Sequence, residues 1–192
     1  DPSGAITVDC RWDISTGDPA AALGALPAQA DNLATKAVER LRSRGGVRAG
    51  ISLSIRKHIP AASGLGGASS DAAAALVAAN SVWNLNWSRP ALAGLAAVLG
   101  SDVPFFLYAS AAVCRGRGEQ IEPVGHLGSL DYVIVRPPEG LATAQVYGRC
   151  ETPAEPRRVE PLLAALARGD ARRLAHLMHN RLQPAAASLS CW

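Results

Sequence analysis

The sequence predicts an α+β fold with two domains, and three observations support this class. Alternation of apolar and polar residues, typical of strands, occurs at 5–10, 51–55, 111–115, 119–124 and 132–135. Apolar residues spaced three and four apart, or capping signals, predict helices from Leu33, at 69–82, at 88–100, and near 159–168 and 170–179. A boundary near residue 125 then divides the chain into predicted domains at 1–124 and 125–192.

The early elements follow from local signals in chain order. Ile6 and Val8 alternate with polar residues in the first strand, and residues 13–30 are rich in Gly, Pro and Ala, which predicts a loop. Asp31 and Asn32 are suitable caps for the first helix. The apolar stripe of that helix is Leu33, Ala37 and Leu41, with Ala34 and Val38 beside it.

Later elements are marked by Pro and Gly. Ser88 caps a helix with Pro90 in its first turn, and Gly100 ends that helix. Pro137 and Pro138 interrupt the chain after the last predicted strand, and Gly169 divides the two final helices.

Composition excludes several function classes. The chain has 192 residues, of which 48% are hydrophobic, enough for one sizeable core or one and a half domains. The net charge of +3 is spread along the chain, so neither a nucleic-acid partner nor, without a long apolar run, a membrane is predicted. Four distant cysteines without a CxxC pair predict reduced thiols in a cytoplasmic protein.

The segment from Lys57 to Ala75 is the most informative part of the chain. A predicted strand leads into a loop containing Gly64, Gly66 and Gly67, and an Ala-rich helix begins near Ser69. Glycines let backbone N–H groups approach an anion, and a helix N-terminus adds unpaired donors and a positive dipole end. This arrangement predicts a phosphate-binding loop, in which the Ser69 and Ser70 hydroxyls serve as caps or further donors.

Known phosphate loops narrow this prediction. A Walker loop needs a Lys that is absent between Lys57 and Ser70, and the dinucleotide fingerprint needs glycine where Ser69 stands. The pattern Pro-x-x-x-Gly-Leu-Gly-x-x-Ser-Ser fits Pro60 to Ser70 position by position. This loop resembles that of the kinases named for galactose, homoserine, mevalonate and phosphomevalonate. The alternative is an ordinary Gly-rich turn before a helix.

A second motif surrounds Asp102. The run Leu-Gly-Ser-Asp-Val-Pro-Phe-Phe at 99–106 sets a carboxylate just after a predicted helix, before Pro104 and two aromatic residues. In phosphoryl transfer to an alcohol, a positioned Asp can accept the hydroxyl proton. The alternative is a turn Asp that bonds its own backbone.

The order and wording of the motifs resemble one branch of that superfamily, the 4-diphosphocytidyl-2-C-methyl-D-erythritol kinases. The matching segments are Asp31 to Leu33, Ile59 to Ala73, Asn80 to Trp83, Leu99 to Phe106 and Gly116 to Glu119. The resemblance implies a two-domain small-molecule kinase that uses ATP with Mg²⁺. It further implies phosphorylation of the substrate's 2-hydroxyl in non-mevalonate isoprenoid synthesis, by a monomer or homodimer. The metal ligands are left unassigned.

The resemblance also implies residue roles. Asp102 matches the catalytic base and contacts the substrate hydroxyl, and Lys57 matches a basic residue near the nucleotide. Asn32 and Leu33 match positions of the adenine pocket. The ATP phosphate loop is Pro60, Ala61, Ala62, Ser63, Gly64, Leu65, Gly66, Gly67, Ala68, Ser69 and Ser70.

In the later part of the chain, Pro138, Gly140, Thr143 and Tyr147 resemble a Pro-Gly-x-x-x-Thr-x-x-x-aromatic run of that family, in which the aromatic ring stacks on the substrate's cytosine. Thr143 and Tyr147 are therefore predicted to bind substrate. The alternative for Tyr147 is a half-buried surface tyrosine.

The sequence departs from the family at both ends. The opening strand with its Lys and Asn, the Gly-Tyr-His turn and a late Ser-Gly-Ser-Gly loop are absent from the printed residues. We therefore expect a fold truncated at both ends and a chain that is weak or inactive by itself. Two alternatives stay open: another small-molecule kinase of the homoserine or mevalonate type, or a degenerate, non-catalytic nucleotide-binding remnant.

Overall fold

The computed structural model describes residues 4–13, 23–108, 111–125, 127, 130–135, 137, 140–152, 155 and 157–190. These residues form two compact units, Asp1–Pro123 and Val124–Trp192. Within the described ranges, no helix has both the length and the apolar character that crossing a membrane requires.

The first unit begins with two parallel strands joined through a helix. β1 (Ile6–Trp12) pairs with β2 (Ile51–Lys57), from Ile6 opposite Ile51 to Trp12 opposite Lys57. Parallel strands require a crossover connection, and α1 (Leu33–Gly45) lies within it. The structure confirms both predicted strands and extends each by two residues at its carboxyl end.

The core of the first unit lies between α1 and the helix after the Gly-rich loop, α2 (Gly67–Val82). The α1 face is buried at Ala34, Ala37, Val38 and Leu41. The facing side of α2 is buried at Ala72, Ala73, Leu76 and Ala79. Because most of these side chains are small, the two backbones can pack closely.

Two shorter helices complete this core. α3 (Arg89–Ala96) begins where the Ser88 hydroxyl accepts the Ala91 N–H at 3.4 Å, and it ends before the predicted Gly100. α4 (Val103–Tyr108), which was not predicted as a helix, packs against α2 and α3 and buries Val103 and Leu107.

A β-hairpin closes the first unit. β3 (Ala112–Arg115) pairs antiparallel with β4 (Gln120–Pro123), as the alternating pattern predicts. The turn needs glycine at Gly116, where φ is 69° and a Cβ would lie 2.6 Å from Oε1 of Glu119.

The described part of the second unit is helical. Its helices are α5 (Thr143–Gly148), α6 (Glu160–Ala167), α7 (Ala171–Leu177) and α8 (Gln183–Ala187). α6 and α7 match the predicted final helices and are separated by Gly169, whose φ is 64°. α5 packs against α8, and Arg149 Nη1 donates to the Ser188 carbonyl at 3.2 Å.

The prediction of a strand at 132–135 is wrong. These residues have no assigned strand and are highly exposed, with Val133 at 92%. Tyr-Val-Ile-Val has strong strand propensity, but propensity alone does not form a ladder without a partner, and the described residues supply none here. Part of the predicted 13–30 loop (14–22) and Pro138 lie outside the described residues.

Candidate active site

The Gly-rich segment occupies the loop between β2 and α2. β2 ends at Lys57, and Gly66 is the N-cap of α2 with a left-handed φ of 70°. Gly64 is also left-handed, with φ of 74°. The first N–H groups of an α-helix have no partner within the helix, so those of Gly67, Ala68 and Ser69 are suited to bind an anion.

One alanine of the loop shares this unusual backbone. Ala62 has φ of 53°, a conformation that L-residues adopt at a cost because Cβ approaches the backbone. The neighbouring Ala61 N–H donates to the Leu23 carbonyl at 2.9 Å, which fixes the early part of the loop to the segment before α1. The loop therefore has a defined shape on both sides of Ala62.

A side chain from α4 contacts the loop at the cap of α2. A Cβ on Gly66 would lie 2.7 Å from Cζ and 2.9 Å from Cε2 of Phe106, so the ring edge lies against the Gly66 backbone. Phe106 also packs against the core and meets the Phe105 ring edge to face at 5.3 Å. Gly66 is thus required both by its φ and by this ring.

Lys57, the last residue of β2, forms an ion pair with Asp71 of α2. Nζ of Lys57 lies 2.5 Å from Oδ2 of Asp71, and the two side chains are 10% and 25% exposed. The pair links the strand before the loop to the helix after it. A Cβ on Gly67 would lie 3.5 Å from the same Nζ, so the ammonium lies close to the first turn of α2.

Asn32 and Leu33, predicted to line an adenine pocket, lie at the start of α1. Asn32 is 6% exposed, and its Oδ1 accepts the Ala34 N–H at 2.9 Å, which makes it the helix cap. Leu33 packs on the core cluster. Both positions therefore have a structural role, and their adenine role stays a prediction.

Cys10 lies beside this group. Burial raises the pKa of its thiol; Lys57 and a hydrogen bond with the Asn32 side chain act in the opposite direction, and Asp71 reinforces the rise. Cys10 and Lys57 thus share the inner face near the carboxyl ends of β1 and β2. A raised pKa favours the neutral thiol over the thiolate.

Asp102 is exposed in the turn immediately before α4. Its Oδ1 lies 3.4 Å from Oγ of Ser101, and a Cβ on Gly118 would lie 3.8 Å from the same oxygen. The turn of the hairpin therefore borders the carboxylate. Burial raises the pKa of the Cys114 thiol in β3, and the negative charge of Asp102 adds to that rise.

The hairpin turn is held by its own carboxylate. Oε2 of Glu119 accepts the Arg117 N–H at 2.7 Å, and hydrogen bonds from the backbone N–H groups of Glu119 and Arg117 lower the pKa of this carboxyl. The Gly-x-Gly-Glu run thus forms a fixed turn next to Asp102.

Thr143 and Tyr147 belong to the second unit. Both lie on α5, four residues apart and thus on one side of the helix, and both are exposed, Tyr147 at 63%. Tyr147 lines an open cavity of about 460 Å³. The other lining residues are Cys150, Thr152, His179, Arg181 and Leu182.

The described residues contain no group of three or more His, Cys, Asp or Glu side chains that could hold a metal ion. Magnesium in kinase sites takes one or two protein oxygens together with phosphate oxygens and water. The Asp102 carboxylate and the hydroxyls of Ser69 and Ser70 are oxygen donors, and this donor type fits Mg²⁺.

Sequence reasoning missed two residues that support the site. Asp71 lies within a matching segment, but the sequence predicts no role for it, because its pairing with Lys57 joins two different elements. Phe106 carried no signal either, because its contact with Gly66 exists only in the tertiary structure.

Comparison with known proteins shows which protein families this chain resembles. Residues 32–110 match the model of the GHMP kinases N terminal domain. The chain is 45% identical to the 4-diphosphocytidyl-2-C-methyl-D-erythritol kinase of Pelotomaculum thermopropionicum, over 83% of this chain and 56% of that protein. It is 46% identical to the enzyme of the same name from Saccharopolyspora erythraea, over 85% of this chain and 54% of that protein.

A solved structure agrees with these relatives. The chain is similar to a crystal structure of 4-(cytidine 5'-diphospho)-2C-methyl-D-erythritol kinase, with a TM-score of 0.63 and 28% identity. The match covers 96% of this chain and 62% of that one. The chain spans about half the length of the curated relatives it matches. The predicted α+β kinase fold is therefore confirmed, and the chain is similar to the 4-diphosphocytidyl-2-C-methyl-D-erythritol kinases, with a segment that matches the N-terminal domain of the GHMP kinases.

Proposed function

We propose that the protein containing this chain transfers the terminal phosphoryl group of ATP to the 2-hydroxyl of 4-diphosphocytidyl-2-C-methyl-D-erythritol. The product belongs to the non-mevalonate route to isoprenoids, and the free cysteines among the described residues suit a cytoplasmic enzyme. The observation that carries this proposal is the pairing of a Gly-rich loop capping α2 with an exposed Asp102 before α4, a helix that packs on α2.

ATP binding is assigned to the loop from Pro60 to Ser70. The backbone N–H groups at the start of α2 and the Ser69 and Ser70 hydroxyls donate to phosphate oxygens, while the helix dipole favours the negative charge. Mg²⁺ bound with ATP would neutralise charge developing on the phosphates, with the hydroxyls of the two serines as oxygen donors beside the loop.

Lys57 contributes to this site by holding its elements together. Its ammonium is paired with Asp71 and lies close to the first turn of α2, so the pair fixes the helix at which the loop ends. Asn32 and Leu33 are assigned to the adenine side, where the cap of α1 fixes the backbone that the base would contact.

Asp102 is assigned as the general base. As an exposed carboxylate it is accessible to a substrate hydroxyl, and accepting that proton as the oxygen attacks phosphorus avoids a protonated, positively charged oxygen. Thr143 and Tyr147 are assigned to the acceptor, with Tyr147 stacking on the cytosine ring through its exposed face.

An acceptor panel tests the proposal. The full-length protein is assayed for ADP release with 4-diphosphocytidyl-2-C-methyl-D-erythritol, homoserine or mevalonate, each at saturating ATP and Mg²⁺. Turnover restricted to the cytidine-bearing acceptor is the expected result. Turnover with homoserine or mevalonate instead would assign another kinase of the superfamily, and ATP binding without any turnover would indicate a degenerate remnant.

A further inference from the structure

We propose that Phe106 is a positioning residue for phosphoryl transfer, because its ring sets the distance between the phosphate loop and the helix that follows Asp102. This inference rests on the proposed function, since it concerns how the loop and the base are held together. Phe106 touches neither nucleotide nor acceptor in this assignment and acts through Gly66.

The contact between Phe106 and Gly66 is the first step of the argument. The ring edge lies so close to Gly66 that a Cβ there would be 2.7 Å from Cζ and 2.9 Å from Cε2. Real Cβ atoms do not come this close to carbon, so the ring fills the space left by the missing side chain. Gly66 is also the N-cap of α2, the residue from which the anion-binding turn begins.

The second step concerns Asp102. It directly precedes α4, and Phe106 is the fourth residue of that helix. α4 is anchored by Val103, Pro104 and Leu107, all buried, so the helix has little freedom to move. A rigid helix with Asp102 at one end and the Phe106 ring against the loop therefore fixes the position of Asp102 relative to the loop.

The position of Phe106 distinguishes it from its neighbour. Phe105 meets Phe106 edge to face and is also half-buried, but the atoms nearest to Gly66 all belong to Phe106. Phe105→Leu is therefore a matched control for Phe106→Leu. The two changes remove the same atoms from adjacent positions of one helix.

Kinetics of the full-length protein provide the first test. Phe106→Leu is expected to lower kcat by about tenfold and to raise the KM for ATP, while the KM for the acceptor stays unchanged, because small displacements of reacting groups are costly. Phe105→Leu is expected to stay within about threefold of wild type in all three constants. Equal kinetic losses in the two variants, or losses that follow their melting temperatures, would overturn the proposal.

A double-mutant cycle tests the contact itself. The loss of kcat caused by Gly66→Ala is expected to be partly rescued by Phe106→Leu, because the shorter side chain makes room for the new Cβ. Gly64→Ala is the matched control, since Gly64 has the same left-handed backbone but no atom within 4 Å of its Cβ position. The free-energy change that Gly64→Ala causes in kcat should simply add to that of Phe106→Leu. Additivity in both cycles would refute a Phe106–Gly66 coupling.

Hydrogen exchange separates this inference from the kinase assignment. Phe106→Leu should increase amide exchange in peptides covering both 58–70 and 99–104, and Phe105→Leu should not, because local opening is measured without any substrate. If the acceptor panel fails but this exchange difference is found, the proposed function is wrong while the coupling of loop and helix stands. An increase confined to α4 would contradict the coupling.

Discussion

In the first unit, the loop from His58 to Gly66 connects a strand and a helix whose inner faces are buried. The Lys57–Asp71 ion pair joins that strand to that helix, and the Phe106 ring contacts Gly66. In the second unit, Thr143 and Tyr147 stand on a six-residue helix with exposed side chains. The residues proposed to bind nucleotide are thus part of the packed structure of the first unit, whereas the residues proposed to bind the acceptor are exposed on the second unit. Substitutions in the first region should therefore change stability as well as activity, and those in the second should change mainly the KM for the acceptor.

The largest expected effect is on turnover at the exposed carboxylate. Asp102→Asn in the full-length protein should lower kcat by about 10²- to 10⁴-fold, because the amide cannot accept the hydroxyl proton. The KM for ATP and the melting temperature should hardly change, since the side chain is exposed. Steady-state ADP release and thermal unfolding measure these quantities, and unchanged kcat would remove Asp102 from the role of base.

The next effect is on stability. Lys57→Met should lower the free energy of unfolding by about 2–3 kcal/mol, because Asp71 loses its partner; fully buried pairs lose roughly 3–5 kcal/mol, and Asp71 keeps 25% exposure. Urea unfolding measures the change. Arg56→Met at the exposed neighbouring position is the control and should be nearly neutral. A Lys57→Met loss no larger than the control would show that the pair contributes little.

In the second unit, Tyr147→Ala should change substrate affinity and little else. Loss of an aromatic stack costs about 0.5–1.5 kcal/mol, so the KM for the cytidine-bearing acceptor should rise about 2- to 10-fold. The KM for ATP and the urea midpoint should stay at their wild-type values. Tyr147→Phe retains the ring and serves as the control. A fall in stability with unchanged acceptor KM would indicate a packing residue instead.

The smallest expected effect is a gain. Ala62→Gly should raise the free energy of unfolding by about 0.5–1 kcal/mol, because glycine adopts the left-handed backbone without the Cβ cost. Ala61→Gly, at a neighbouring position without positive φ, should instead destabilise by a similar amount. Urea unfolding of the two variants distinguishes them, and a loss in both would mean that Ala62 is not strained.

Much of the first unit could be predicted because its signals are local. The stripe of α1 and the alternation of β1 and β2 follow from periodicities that a short window contains, and the glycines of the loop specify its backbone directly. α4 was missed because six residues are too few for a helical period to emerge. Its helical state depends on packing against α2 and α3.

The remaining differences have a tertiary origin. The Lys57–Asp71 pair joins residues on a strand and a helix, and no spacing rule for a single element would bring them together. The segment at 132–135 shows the converse, because a sequence window contains the propensity of a strand but not its partner. Asn32 combines both cases: its capping role was predicted from sequence, whereas its burial near Cys10 was not.

The alanine face of α2 has a consequence for how this protein tolerates mutation. Ala72, Ala73 and Ala79 are buried in the hydrophobic core, while Ala74 and Ala78 on the same helix are exposed. In a saturation library of α2, the first group should accept little beyond Gly and Ser, and the second should accept most residues. Since the Gly-rich loop leads directly into α2, substitutions at the buried alanines should disturb the loop from positions that do not belong to it.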